Sequence, residues 1–144
     1  MYDVLILGGG PAGLAAAVYF ARQKLSFAII TKDIGGYALL SDDVENYLGF
    51  HLLNGPELVK KFTEHLKDYE GQYDLKEGEM AVSVQKTANG FSVATDKGTY
   101  EAKTLLIATG TTHRKLGVPG EDALYGKGVT YCANCDSPLF KDKK

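Results

Sequence analysis

The chain has 144 residues, of which 44% are hydrophobic and 24% are charged, so its composition excludes a disordered chain and fits one main domain. The formal net charge of −2 gives no general attraction to nucleic acid, and we expect no nucleic-acid partner. Residues 4–20 are apolar, but they are interrupted at Gly10-Pro11 and follow no Lys or Arg, unlike an export signal or a membrane span. We therefore expect a cytoplasmic protein with no membrane association.

Residues 1–31 predict one βαβ unit. Residues 3–7 form a short apolar run that ends at Gly8, as a buried strand does, and residues 11–24 follow with a helical pattern. Residues 27–31 are a second apolar run, which completes a mononucleotide-binding half of about thirty residues.

The next part of the chain predicts a long loop and a second helix. Residues 32–50 lack helical or strand periodicity and contain Gly35-Gly36 and Gly49; long loops inside compact domains are usually functional. Pro56 suits the first turn of a helix. That helix would place four apolar residues on one face: Leu58, Phe62, Leu66 and Tyr69.

The hydrophobic period then changes to two, which predicts an antiparallel meander. Its strands are residues 81–87, 91–95 and 99–103, with turns at Asn89-Gly90 and Lys97-Gly98. Residues 104–108 are apolar and stop at Thr109-Gly110, which predicts a return to the parallel sheet. Residues 117–128 predict a connector. The expected fold class is α/β, a doubly wound parallel sheet with a small antiparallel β-meander.

The glycine motif Gly8-x-Gly10-x-x-Gly13 follows the first strand and opens the first helix. The first glycine allows a tight turn, the second lets backbone N–H groups approach a pyrophosphate, and the third lets helix and strand pack closely. This context favours dinucleotide binding over a purely structural glycine turn. The acid that often ends the second strand is replaced by residues 31–33, Thr-Lys-Asp. Asp33 could hold the ribose from this loop, or it could be an ordinary solvated carboxylate.

The only two cysteines, Cys132 and Cys135, form a C-x-x-C motif. Two thiols at this spacing can open and close a small disulfide ring, which favours a redox dithiol over inert thiols. A structural zinc site would need four ligands, and the sequence has no second C-x-x-C. Asp136 could move protons to and from the thiols or cap the following turn.

The motifs in their order resemble those of a known family, the low-molecular-weight thioredoxin reductases and the flavoprotein subunit of alkyl hydroperoxide reductase. They are residues 8–13, Gly35-Gly36, residues 45–50 (ENYLGF), Ala108-Thr109-Gly110, residues 118–121 (VPGE) and residues 128–136 (GVTYCANCD). This resemblance covers essentially the whole chain and implies that the nucleotide is FAD.

The resemblance also implies a role for each matching residue. Three groups would bind FAD: Gly8, Gly10, Pro11, Ala12 and Gly13 at the pyrophosphate, Gly35, Gly36 and Asn46 along the flavin, and Thr109 and Gly110 near the nucleotide. Cys135 would face the flavin, Cys132 would attack the partner disulfide, and Asp136 would be the acid-base group. Tyr37 stands in the flavin site where the family commonly has Gln, Leu48 where Pro is common, and Ser137 where Gly often follows the aspartate.

The family's NAD(P)H-binding domain begins just past the C-x-x-C, and a final segment then completes its FAD domain. We therefore expect residues 1–116 to be an FAD-binding domain without that closing segment. Residues 117–144 would be a connector and the start of a truncated NAD(P)H and redox-dithiol domain. NAD(P)H is expected only for a full-length form, and this chain should not work with NADPH alone.

The implied activity is a disulfide oxidoreductase that passes electrons from NAD(P)H through FAD to the Cys132–Cys135 dithiol. The acceptor would be a thioredoxin-like or other small disulfide protein, and the family suggests a homodimer. Two alternatives stay open: a flavoprotein with another donor such as ferredoxin, and a non-catalytic FAD-binding module.

Overall fold

Strand β1 (Tyr2–Gly9) lies inside the sheet, and strand β2 (Phe27–Ile34) pairs beside it in parallel. The helix α1 (Pro11–Arg22) connects them and ends near its predicted boundary. Residues 4–7 of β1 and 27–30 of β2 are continuous apolar runs because both of their faces are covered; Leu5 and Ile6, for example, have no exposed surface. The predicted βαβ unit is confirmed.

The sheet has six strands in the order β3-β2-β1-β6-β5-β4. The remaining strands are β3 (Tyr73–Glu77), β4 (Ala81–Thr87), β5 (Gly90–Thr95) and β6 (Thr99–Ile107). Pairing is parallel from β3 through β2 and β1 to β6, and antiparallel from β6 through β5 to β4. The predicted meander is therefore confirmed, and it belongs to the same sheet as the parallel strands.

Two features of the sheet differ from the sequence predictions. Strand β3 was not predicted. The third meander strand and the returning parallel strand are one continuous strand, β6, which changes partner at Ala102. This residue pairs with Phe91 of β5 on one side and with Tyr2 of β1 on the other, so one strand belongs both to the meander and to the parallel part of the sheet.

The predicted loop of residues 32–50 contains local structure. Strand β2 extends to Ile34, a 3-10 helix covers Gly36–Leu40, and Val44 forms an isolated antiparallel bridge with Leu53. Helix α2 (Gly55–Lys67) follows and begins with a capping box. The Asn54 side chain accepts from the Glu57 N–H at 2.8 Å, and the Glu57 carboxylate accepts from the Asn54 N–H at 3.1 Å.

Buried residues form two clusters in this part of the chain, because successive side chains of a strand point to opposite faces. One cluster joins β1 and β2 to helices α1 and α2: Val4, Ile6, Leu14, Ala17, Ala21, Phe27, Ile29 and Leu66. The other cluster joins the opposite faces of β1 and β2 to the meander: Leu5, Leu7, Ala28, Ile30, Val93 and Ala102. Buried side chains therefore cover both faces of β1 and β2.

The computed structural model describes residues 1–133 and 141, and the chain divides into two compact units, Met1–Gly110 and Thr111–Lys144. Within the second unit, helix α3 (Glu121–Leu124) lies in the predicted connector. The buried Glu121 carboxylate accepts from the N–H groups of Leu116 at 2.9 Å and Gly117 at 2.6 Å. None of the helices in the described part of the chain is long and apolar enough to cross a membrane.

Candidate functional site

Gly8 and Gly13 are required by close packing at the carboxyl end of β1. Gly8 has a φ of 112°, and a Cβ atom there would lie 2.2 Å from the Ala108 carbonyl oxygen. A Cβ atom at Gly13 would lie 2.0 Å from the Gly8 carbonyl oxygen. Any side chain at either position would displace backbone, so these two glycines let β6 and α1 approach the loop.

Gly10 is not required by the packing of the chain itself. Its φ of −75° and ψ of −178° suit any residue, and a Cβ atom there would meet nothing within 4 Å. Helix α1 starts at the next residue, and its first helical bond runs from the Leu14 N–H to the Gly10 carbonyl. The N–H groups of Ala12 and Gly13 come before the first helical hydrogen bond and have no partner within the helix. The open space at Gly10 therefore lies beside the positive end of helix α1, where phosphate groups bind.

The Gly35-Gly36 pair lies against the glycine loop. The Gly35 N–H donates to the Gly9 carbonyl at 2.8 Å. A Cβ atom at Gly36 would lie 3.7 Å from the Gly10 Cα atom. Both residues have positive φ, 105° and 52°, a conformation that glycine adopts without strain. The structure therefore brings two separate predicted motifs to one place.

The end of β6 reaches the same loop. The Ala108 N–H donates to the Leu7 carbonyl at 2.8 Å, and the Thr109 Cα would lie 3.1 Å from a Cβ atom at Gly8. Gly110 follows with a φ of 68°. The predicted Thr109-Gly110 segment thus begins at the first glycine of the loop, because parallel strands β1 and β6 end at one edge of the sheet.

Asn46 and Tyr37 lie in the segment between β2 and α2, and both are exposed. Tyr37 is in the 3-10 helix. The neighbour of Asn46, Tyr47, packs against Phe62 of α2 with ring centroids 5.5 Å apart. Tyr47 and Pro11 also line an open cavity of about 290 Å³. Asn46 is therefore one residue from a cavity beside the start of α1.

The end of β2 contains a contact that the sequence did not predict. Thr31 is 7% exposed, and its hydroxyl accepts from the Gly9 N–H at 2.9 Å and donates to the Asp33 carbonyl at 2.6 Å. Lys32 and Asp33 have exposed side chains. The only available signal was a threonine at the place where an acid often ends the second strand.

A buried carboxylate lies behind this strand end. Glu79 is 5% exposed; its N–H donates to the Thr31 carbonyl at 3.1 Å, and its carboxylate accepts from the hydroxyl groups of Thr95 and Tyr100. Burial and, after it, the hydrogen bond to Glu79 raise the pKa of Tyr100. This arrangement fixes the backbone of Thr31 to the meander.

Within the second unit, Cys132 is half-buried and disulfide-bonded. Its N–H donates to the Thr130 hydroxyl at 3.1 Å. The preceding residue, Tyr131, stacks on His113 with ring centroids 5.0 Å apart and an interplanar angle of 10°. Cys135 and Asp136 lie outside the described residues, so their roles stay predictions.

The model of the pyridine nucleotide-disulphide oxidoreductase family matches residues 2–144. The chain belongs to this family. Among its curated members, thioredoxin reductase of Bacillus subtilis (strain 168) is 43% identical over 148 aligned residues, which cover 100% of this chain and 45% of the relative. An alkyl hydroperoxide reductase subunit of Staphylococcus epidermidis is 40% identical over 143 residues, covering 99% of this chain and 28% of the relative. The chain therefore spans less than half of these family members, and the resemblance predicted from the motifs is confirmed.

Solved structures of thioredoxin reductases have the same fold. The crystal structure of T. acidophilum thioredoxin reductase is 46% identical with a TM-score of 0.78, covering 97% of this chain and 45% of that one. A ferredoxin-flavin thioredoxin reductase from Clostridium acetobutylicum is 37% identical with a TM-score of 0.69, covering 97% of this chain and 48% of that one. The predicted α/β fold class is confirmed.

Proposed function

We propose that this chain is the FAD-binding and dithiol-bearing part of a thioredoxin reductase-like enzyme. The full-length protein would take electrons from NAD(P)H and deliver them to the disulfide of a thioredoxin-like or other small protein, and it would work as a homodimer. Residues 1–116 would be the FAD-binding domain, and residues 117–144 the connector and the start of the NAD(P)H and redox-dithiol domain.

The open space at Gly10 supports this proposal most directly. Gly8 and Gly13 have structural reasons to be glycine, whereas Gly10 has none within the chain. A ligand that approaches the backbone closely supplies the missing reason, and the unpaired N–H groups at the start of α1 suit a pyrophosphate. Gly36 extends the same opening, which suits a long cofactor.

When bound, FAD would supply a two-electron carrier between a nicotinamide and the dithiol. The backbone N–H groups of Ala12 and Gly13 would hold the pyrophosphate, and Gly35, Gly36 and Asn46 would lie along the flavin. Tyr37 would replace the amide that the family commonly has there, with a ring and a hydroxyl in its place.

The two cysteines would carry out the exchange with the partner. The Cys132 thiolate would attack the partner disulfide and form a mixed disulfide, and one partner sulfur would leave as a thiolate. The Cys135 thiolate would then attack Cys132, which releases the partner as a dithiol and closes the Cys132–Cys135 disulfide. Asp136 would accept the proton that the attacking thiol loses and supply a proton to the departing thiolate.

Two observations support a different electron donor. The ferredoxin-flavin thioredoxin reductase is 37% identical to this chain, and Tyr37 differs from the family's usual residue in the flavin site. In this alternative, ferredoxin would deliver the electrons and the dithiol would act in the same way.

Reconstitution tests the proposal. The purified chain, incubated with FAD and passed through a desalting column, should retain flavin absorbance at a ratio near one per chain. After reduction, the chain should also convert oxidised thioredoxin to its dithiol, and Cys135→Ser should trap the mixed disulfide between Cys132 and thioredoxin. Absence of retained flavin at saturating FAD would contradict the cofactor assignment, and absence of exchange would contradict the dithiol assignment.

A further inference from the structure

Thr31 packs directly beneath the dinucleotide loop. A Cβ atom at Gly9 would lie 2.8 Å from both the hydroxyl oxygen and the methyl carbon of Thr31. The threonine side chain therefore fills the space under Gly9, and it is almost fully buried. Its position depends on β2 lying next to β1 in the sheet.

The Thr31 hydroxyl uses its single donor hydrogen within the protein. It donates to the Asp33 carbonyl at 2.6 Å and accepts from the Gly9 N–H at 2.9 Å. A hydroxyl has only one hydrogen to donate, so Thr31 cannot also donate to a nucleotide ribose. Thr31 stands near the position where an acid often binds the ribose, but its hydroxyl binds Gly9 and Asp33 instead.

Gly9 is held from both sides by this arrangement. Its N–H is bound by Thr31, and its carbonyl is bound by the Gly35 N–H at 2.8 Å. The peptide of Gly9 is therefore fixed in position immediately before Gly10, where the chain opens toward the start of α1. A loop that is already in its binding conformation loses less entropy when a ligand arrives.

The backbone of Thr31 has its own support. The Glu79 N–H donates to the Thr31 carbonyl at 3.1 Å, and Thr31 pairs with Glu77 of β3. Removal of the hydroxyl should therefore release Gly9 and Asp33 without displacing the strand.

We propose that Thr31 is a positioning residue, whose hydroxyl holds the Gly9 peptide and thereby pre-forms the dinucleotide loop for the FAD pyrophosphate. This inference rests on the proposed function. It assigns to Thr31 a contribution to cofactor affinity without contact between Thr31 and the cofactor.

The test compares three variants. Thr31→Val removes the hydroxyl and keeps the shape, Thr31→Ser keeps the hydroxyl, and Thr104→Val is the matched control. The Thr104 hydroxyl also donates to a backbone carbonyl, that of Asp3 at 2.7 Å, but at the opposite end of β1. Affinity for FAD is measured by quenching of flavin fluorescence, at a temperature where circular dichroism shows each apoprotein to be folded.

Thr31→Val loses the hydrogen bonds of the hydroxyl to Gly9 and Asp33, and we expect it to bind FAD roughly 5- to 30-fold more weakly, because the bond to Gly9 is the one that holds the loop. Thr31→Ser should recover most of the affinity, and Thr104→Val should bind like the parent. Equal affinity of Thr31→Val and the parent would overturn the inference, as would an equal loss in Thr31→Ser.

Amide hydrogen exchange of Gly9 in the parent apoprotein decides the same question if Thr31→Val does not fold. The Gly9 amide should exchange more slowly than an unstructured glycine, and exchange at the unstructured rate would overturn the inference. A parent chain that binds no FAD would refute the proposed function, whereas this exchange rate would still decide the role of Thr31.

Discussion

Gly36 lies beside Gly10, so that a Cβ atom on Gly36 would be 3.7 Å from the Gly10 Cα atom. The two glycines come from different segments, the loop after β2 and the loop after β1. Neither presents a side chain, and together they leave the start of α1 open. This contact brings together the two glycine motifs that the family resemblance assigns to FAD.

Gly10→Val should abolish FAD binding while the fold is kept. The valine side chain would enter the open space at the start of α1, where nothing in the chain lies within 4 Å of its Cβ atom. Loss of a favourable helix cap costs about 0.5–2 kcal/mol, so the free energy of unfolding should fall by no more than that. Flavin absorbance after desalting and urea unfolding of the apoprotein measure the two effects.

Gly13→Ala provides the contrast. Its Cβ atom would lie 2.0 Å from the Gly8 carbonyl oxygen, so the backbone must move and the apoprotein should lose roughly 3 kcal/mol of stability. If Gly10→Val retained its flavin, the loop assignment would be wrong. If both variants were equally destabilised, the distinction between a structural and a ligand-facing glycine would be wrong.

Local patterns in the sequence predicted most of the parallel core. The βαβ unit combines continuous apolar runs, a Gly-Pro break and a helical pattern, and each of these signals lies within a few residues. The meander was predicted in the same way, from alternation and turns. The glycine loop was located correctly relative to β1 and α1 because its spacing follows from their geometry.

Features that depend on distant residues were not predictable. Strand β3 has mostly exposed side chains and gives little alternation, so only its pairing with β2 defines it. The sequence also could not show that Ala102 joins two halves of one strand, because its partner Tyr2 on β1 is far away in the chain. The contact of Thr31 with Gly9 depends on side-chain geometry at the paired ends of β1 and β2, which the βαβ pattern alone does not give.

The stability of the protein should decrease at alkaline pH because of Tyr2. Burial and, after it, the hydrogen bond to Asp74 raise the pKa of Tyr2 from 10.0 to about 12. The stabilisation is complete below pH 10 and is lost as pH rises toward 12, because the unfolded chain releases the proton first. Urea midpoints measured from pH 9 to pH 12 should show this decrease.

Substitutions at the pair identify the source of this pH dependence. Tyr2→Phe should make the decrease smaller, because it removes one titrating group, while Tyr100, whose pKa is also raised, still contributes. Asp74→Asn should flatten it partly, because burial of Tyr2 remains while the charge and the charged acceptor are lost. The same slope in Tyr2→Phe and the parent would show that another group is responsible.

The two cysteines should be functionally unequal. In a form of the protein with a complete FAD site, Cys132→Ser leaves Cys135, the thiol proposed to face the flavin, and its thiolate should perturb the flavin absorbance spectrum. Cys135→Ser leaves Cys132, the proposed exchanging thiol, and should not produce that change. Spectra are compared after reduction and removal of the reductant, with the double variant as control. Identical spectra for the two single variants would refute the assignment.

The 144-residue chain should not reduce a disulfide catalytically with NADPH. The sequence contains one Gly-rich dinucleotide loop, Gly8 to Gly13, and the proposed FAD would occupy it. Hydride transfer requires the donor and acceptor atoms about 3–3.5 Å apart, and no second loop in this sequence would hold the nicotinamide.

NADPH oxidation is followed at 340 nm in the presence of FAD and oxidised thioredoxin, and photoreduction of the same sample serves as the control for a competent flavin. We expect photoreduction to bleach the flavin and NADPH to give no sustained turnover. Continuous NADPH oxidation coupled to new thioredoxin thiols would reveal a nicotinamide site within these residues and refute the prediction.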